Sequence, residues 1–156
     1  MSTSPRIGFP LVVATIALLA AGCSSTVFDL ETGNCLNFPD DTDINQGFEL
    51  STVDIVECTE SHQAEVVGTL RVSDNDFPDV EKDAFPGQAA LEEKANDTCL
   101  TSFNSYVGTD YDSSELDLFP LTPTEESWNK ADDRTIVCVA VNMNNEVSES
   151  FKDSGL

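Results

Sequence analysis

Apolar residues run almost unbroken from position 11 to 21, with only Thr15 interrupting, and the run stops at Gly22-Cys23-Ser24-Ser25. Beyond it the pattern is that of a folded domain. Residues 53–58 alternate between apolar and polar, and a second alternating segment covers 64–72 after the polar turn Thr59-Glu60-Ser61-His62. Together they predict a hairpin of two strands. A turn-rich acidic loop occupies 73–79. Asp83 and Pro86 then signal a helix start, and Leu91, Ala95, Cys99 and Phe103 recur every fourth residue with Glu92, Glu93 and Lys94 turned to water. This stripe predicts a helix lying on a sheet and ending near Tyr106-Val107-Gly108. Residues 116–121 predict a short strand that Pro120 confines to an edge or a strand end, and residues 123–130 read as irregular. In residues 135–143, Ile136, Cys138 and Ala140 fall on one side and Val137, Val139, Val141 and Met143 on the other. A strand apolar on both faces belongs inside a sheet. Asn144-Asn145 turns the chain into a last segment at 147–151. The pattern therefore predicts an α+β fold, a small antiparallel sheet with one principal helix packed on it.

The apolar run changes the picture of where this domain sits. With Arg6 as its positive lead, it is too short to span a bilayer comfortably and ends in small residues, which reads as an export signal. A cysteine directly after those small residues makes it a lipoprotein signal, with the Cys23 thiol as the nucleophile that takes the lipid. Ala20 stands where Leu is commoner in such signals, and an ordinary cleaved signal or an uncleaved anchor are the competing readings. The expected organisation is a signal at 1–22, a lipid-anchored tether at 23–32 and one domain at 33–156. The expected location is the outer face of a cell membrane, with the lipid anchor as the membrane contact. Of the five cysteines, Cys23 is then set aside, and Cys35, Cys58, Cys99 and Cys138 remain. An even number in an exported chain reads as two disulfides, for which four cysteines allow three connectivities. Cys99 on the inward helix stripe and Cys138 on the inner strand favour Cys99–Cys138, which leaves Cys35–Cys58. Each closure is worth roughly 3–4 kcal/mol in the chain-entropy model. A four-cysteine zinc site is disfavoured, because no closely spaced cysteine pair is present.

Charge and chemistry narrow the function. Without Arg6 the chain carries 29 acidic side chains against six basic ones (the seven less Arg6), a formal −23. Such a surface excludes nucleic acid as a partner and favours cationic partners or divalent ions. His62 is the only histidine and has no sequence neighbour that marks a catalytic triad, and the cysteines are better used in disulfides. No catalytic residue, cofactor or metal is expected. His62 reads as a turn residue bonded to backbone or to Glu65. Residues 41–47, Asp41-Thr42-Asp43-Ile44-Asn45-Gln46-Gly47, place oxygens at the first, third and fifth loop positions, but Gly is seventh and Thr52 twelfth, where the calcium loop needs Gly sixth and Glu twelfth. Asp74, Asp76 and Asp79, with Asp110, Asp112, Glu115 and Asp117, are looser acidic clusters. A small-molecule or calcium-binding surface lipoprotein is the alternative function these carboxylates leave open, with an acid–base hydrolase behind it.

The order of pieces resembles one family. Gly33-Asn34-Cys35-Leu36-Asn37 is followed by Val53-Asp54-Ile55-Val56-Glu57-Cys58 and by Ser61-His62-Gln63-Ala64-Glu65-Val66-Val67-Gly68; later come Cys99, Tyr106-Val107-Gly108, and Pro123-Thr124-Glu125-Glu126-Ser127-Trp128 leading through Asp133-Arg134 to Cys138. This resembles the septum-formation domain family of small exported or membrane-attached actinobacterial proteins. The chain departs from that pattern at Asn129-Lys130-Ala131-Asp132, where the family usually carries a glycine. The resemblance implies a cysteine-bridged extracytoplasmic domain with a link to division or the envelope; with the anchor, the disulfides and the missing catalytic set, the expected function is a non-enzymatic binding or scaffold role with envelope or division proteins as partners. It singles out His62, Glu65, Trp128 and Arg134 as functional or fold-fixing residues, with Arg134 bonding a carboxylate or carbonyl and Trp128 capping the core.

Overall fold

The strand at 135–141 is the organising element, because its alternation is apolar on both sides and every residue after Thr135 is buried. In the computed structural model, residues 24–25, 30–38 and 53–156 are described. The elements in chain order are β1 (Ser24–Ser25), β2 (Cys35–Asn37), β3 (Val53–Val56), β4 (Ala64–Arg71), α1 (Gln88–Val107), β5 (Asp117–Leu121), α2 (Glu125–Ala131) and β6 (Thr135–Val141). One-turn 3-10 helices lie at Asp74–Asp76 and Tyr111–Ser113. The strands form one antiparallel sheet in the order β1-β3-β2-β4-β6-β5. The expected α+β class holds, with α1 as the principal helix. The expected export signal, Cys23 and the calcium-like loop at 41–47 lie outside the described residues, as does half of the expected tether at 23–32. Among the described residues no helix is long and apolar enough to cross a membrane.

Two cores flank β6. Ile136, Cys138 and Ala140 join Leu91, Ala95, Cys99, Phe103 and Val107 of α1, together with Val67, Trp128 and Phe151. Val137, Val139 and Val141 join Leu36, Val53, Ala64 and Val66 on the other side. Both disulfides form as expected, Cys35–Cys58 and Cys99–Cys138, and the second ties the buried stripe of α1 to β6. The β5 strand is an edge, as Pro120 requires, since a residue without an N–H serves only where no further strand needs it.

The structure corrects the sequence reading in four places. The segments at 53–58 and 64–72 are strands but not a hairpin, because β2 inserts between β3 and β4 and pairs with both. Leu36, buried with no exposure, supplies the apolar side chain that justifies the insertion. The helix starts at Gln88 after Gly87, later than Asp83 and Pro86 implied. Residues 123–130 are not irregular: Thr124 and Ser127 form a reciprocal capping box that starts α2. Finally, the last strand ends at Val141 and leaves Met143 exposed; the segment after Asn144-Asn145 is joined to the sheet side by a single bridge, Val147 to His62.

One irregularity positions α1. At Val67 the β4–β6 register shifts, so that Val67 faces the helix side and Gly68 pairs with Cys138. A Cβ on Gly68 would lie 2.5 Å from Ser102 Cβ, so the absent side chain is what lets α1 approach the sheet. The helix ends at Gly108, which takes the left-handed conformation and bonds back to Asn104.

Candidate functional site

The singled-out residues separate into two groups, each tied to one stretch of the motif. The first is built on the start of β4. Glu65 follows buried Ala64 and alternates to the α1 side of the sheet, opposite Cys35 of β2 and Ala140 of β6. It is fully buried. A carboxylate there is tolerable only if donors replace water. Tyr106 Oη near the end of α1 and Ser150 Oγ both donate to Oε1, the latter at 2.7 Å, and the backbone N–H of Phe151 donates to Oε2. Among the described residues no ion pair reaches Glu65. The carboxylate therefore gathers three chain segments, and its position explains why the C-terminal stretch docks where it does. Asp153 N–H donates to the Tyr106 carbonyl and Gly155 N–H to that of Val107, extending the same contact. Burial and the neighbouring Glu65 carboxylate push the Tyr106 hydroxyl up to about 12.

His62 precedes β4 and is also fully buried. Its backbone exchanges two hydrogen bonds with Val147, at 2.8 and 2.9 Å, and its ring is tilted against Phe151 with centroids 5.9 Å apart. Nδ1 lies 2.9 Å from the Glu60 carbonyl, which fixes the tautomer as Nδ1–H. Nε2 is buried with no hydrogen-bond partner among the described residues. The expected bond to backbone is present, whereas no His62–Glu65 hydrogen bond forms. Cys35 Sγ, a ring nitrogen of His62 and a Glu65 oxygen nevertheless all lie within 4.8 Å of one another. With Cys35 in a disulfide, only nitrogen and carboxylate remain as strong donors, fewer than a zinc site uses.

The second group is built on α2 and the turn into β6. Trp128 is buried against the main core and donates from Nε1 to the Asp83 carbonyl, while Phe85 packs edge-on against its ring. The Arg134 guanidinium lies 3.8 Å above the Trp128 ring centroid and donates to the Trp128 and Asp133 carbonyls. Asp133 accepts from Ser127 Oγ and from the Thr135 N–H. Asp132, the last residue of the 129–132 segment, takes the left-handed conformation with φ 52° and pairs with Arg134 and Arg71. Trp128 and Arg134 thus act as the lid and clasp of the core.

The acidic clusters are partly committed to the fold. Asp74 accepts from the Asp83 N–H, and Asp76 accepts from Ser73 and pairs with Lys94 at 2.8 Å. The Lys94 bond, reinforced by Ser73, holds the Asp76 carboxyl below its ordinary value. Sequence reasoning missed the parts played by Tyr106 and Ser150. The signal was a carboxylate at a position that strand alternation turns into the core, which demands donors from elsewhere in the chain.

Comparison with known proteins adds one finding. A family model described as Septum formation matches residues 25–155, which spans both disulfides and both groups of singled-out residues. No curated protein and no solved structure matches the chain.

Proposed function

Because the chain belongs to the septum-formation family, we propose that it is a non-enzymatic scaffold or binding protein of the cell envelope, lipid-anchored through Cys23 on the extracytoplasmic face and acting in septum formation. The observation that carries this reading is the family match over residues 25–155. Two disulfides in one small domain support an oxidising, extracytoplasmic setting. The non-enzymatic part is supported by the use made of the chemistry-bearing groups: Glu65, Trp128 and Arg134 are spent on bonds that hold the fold, and His62 is sealed from solvent. The surface charge favours a cationic partner surface among envelope or division proteins.

The test is genetic complementation. A deletion strain is expected to divide abnormally and to recover with the wild-type chain, but not with Cys23→Ala, which keeps the fold and loses the anchor. Normal division in the deletion strain contradicts the septal role, and full rescue by Cys23→Ala contradicts the anchor.

A further inference from the structure

The buried group around His62 contains an unexplained feature. Nε2 is a polar atom with no partner among the described residues, in a side chain with no exposure, and such an unpaired buried atom is rare in folded chains because its lost hydration is not replaced. It belongs to a ring that shares a 4.8 Å cluster with Glu65 and the sulfur of Cys35. Because Nδ1–H is committed to the Glu60 carbonyl, Nε2 is the nitrogen left with a lone pair to give. The two disulfides also differ in access. Cys99 and Cys138 are both completely buried, whereas Cys58 is only half-buried, so Cys35–Cys58 is the bridge with a partly exposed cysteine.

The geometry points to a redox-gated metal site: opening of the Cys35–Cys58 bond by a dithiol creates a site for a thiophilic divalent cation of the zinc class. Its ligands are the clustered Cys35 thiolate, His62 Nε2 and Glu65 carboxylate, joined by the Cys58 thiolate, whose sulfur is bonded to that of Cys35 in the oxidised chain. The dithiol supplies two electrons and two protons, the sulfur–sulfur bond breaks, and the reductant leaves as its own disulfide. Metal binding then displaces the two thiol protons to solvent. Two sulfurs, a nitrogen and an oxygen suit tetrahedral zinc, and such donors are too soft for calcium or magnesium. The surroundings are those of a supported site: the Glu60 carbonyl orients the imidazole, and Tyr106, Ser150 and the Phe151 N–H orient the carboxylate. In the oxidised chain the sulfurs are bonded to each other and the site is closed.

The experiment uses the full chain, reduced by a dithiol without oxygen, with alkylation and mass mapping to identify the opened bond and circular dichroism to follow the fold. The expected result is an opened Cys35–Cys58, an intact Cys99–Cys138 and binding of one Co²⁺ per chain. Thiolate-to-cobalt charge-transfer bands should appear only after reduction. Affinity should fall more than about tenfold in His62→Gln, since loss of even an outer partner costs that much. X-ray absorption on the zinc-loaded wild-type chain should show sulfur together with nitrogen or oxygen neighbours, a readout independent of whether the variant folds. Loss of the fold on reduction, absence of the cobalt spectrum, sulfur-only coordination, or equal binding by a Cys35→Ser/Cys58→Ser chain would each overturn the proposal.

Discussion

Glu65 shows how far a single residue reaches: with no countercharge among the described residues, it is held by three donors from two distant segments, and each donor is thereby fixed. Glu65→Gln keeps the shape but turns one acceptor into a donor facing another donor. It should cost about 1–3 kcal/mol in urea unfolding and loosen the C-terminal segment in hydrogen exchange. Tyr106 carries the pH dependence of the same contact. Its folded value, about 12, lies above its ordinary value of 10.0, so the folded state keeps a proton that the unfolded state releases. Its contribution to stability is complete below pH 10 and is lost as pH rises toward 12. An ultraviolet phenolate titration should show a late step that Tyr106→Phe abolishes. Gly68 is the matching steric case. Gly68→Ala drives a methyl into Ser102 and should cost roughly 1–3 kcal/mol, with part of that loss recovered in a Ser102→Gly background. The motif singled out Glu65 and His62, but it did not show that one gathers the chain's end and the other leaves a ring nitrogen unpaired. Those facts depend on contacts 85 or more residues apart for Glu65 and Ser150 or Phe151.

Elements with a strong period were legible, and short ones were not. The stripe Leu91, Ala95, Cys99 and Phe103 is wholly buried, and β6 divides its side chains between two cores as its alternation implies. By contrast β2 spans three residues and α2 seven, too few for periodicity to separate from chance. The sequence evidence for α2 lay in its cap instead, since Thr124 and Ser127 satisfy the first turn reciprocally. Thr124→Ala should therefore lower stability by about 1 kcal/mol, read as a shift in the thermal midpoint. The disulfide pairing was legible because α1 and β6 each turn a cysteine inward. Cys138→Ala severs helix from sheet and should cost about 2–5 kcal/mol, measured against wild type in the same denaturant series. The hairpin expectation failed for a physical reason: two neighbouring strands pair only when no better partner enters, and β2 enters with Leu36 and the Cys35–Cys58 bridge.

At the scale of the whole molecule, a formal charge of −22 over 156 residues sits on a fold held by two cores and two disulfides. Such a charged surface repels anionic surfaces only over roughly 8 Å at physiological salt, so its effect on association is confined to close approach. An anchor at Cys23 would place that surface within a short span of the membrane and leave the folded part free to meet a cationic face. We propose that this domain works at the division site from an anchored position. Fluorescence imaging of a tagged chain in dividing cells is the decisive test: enrichment at the septum that is lost in Cys23→Ala is expected, whereas an even distribution around the membrane of dividing cells would rule the proposal out.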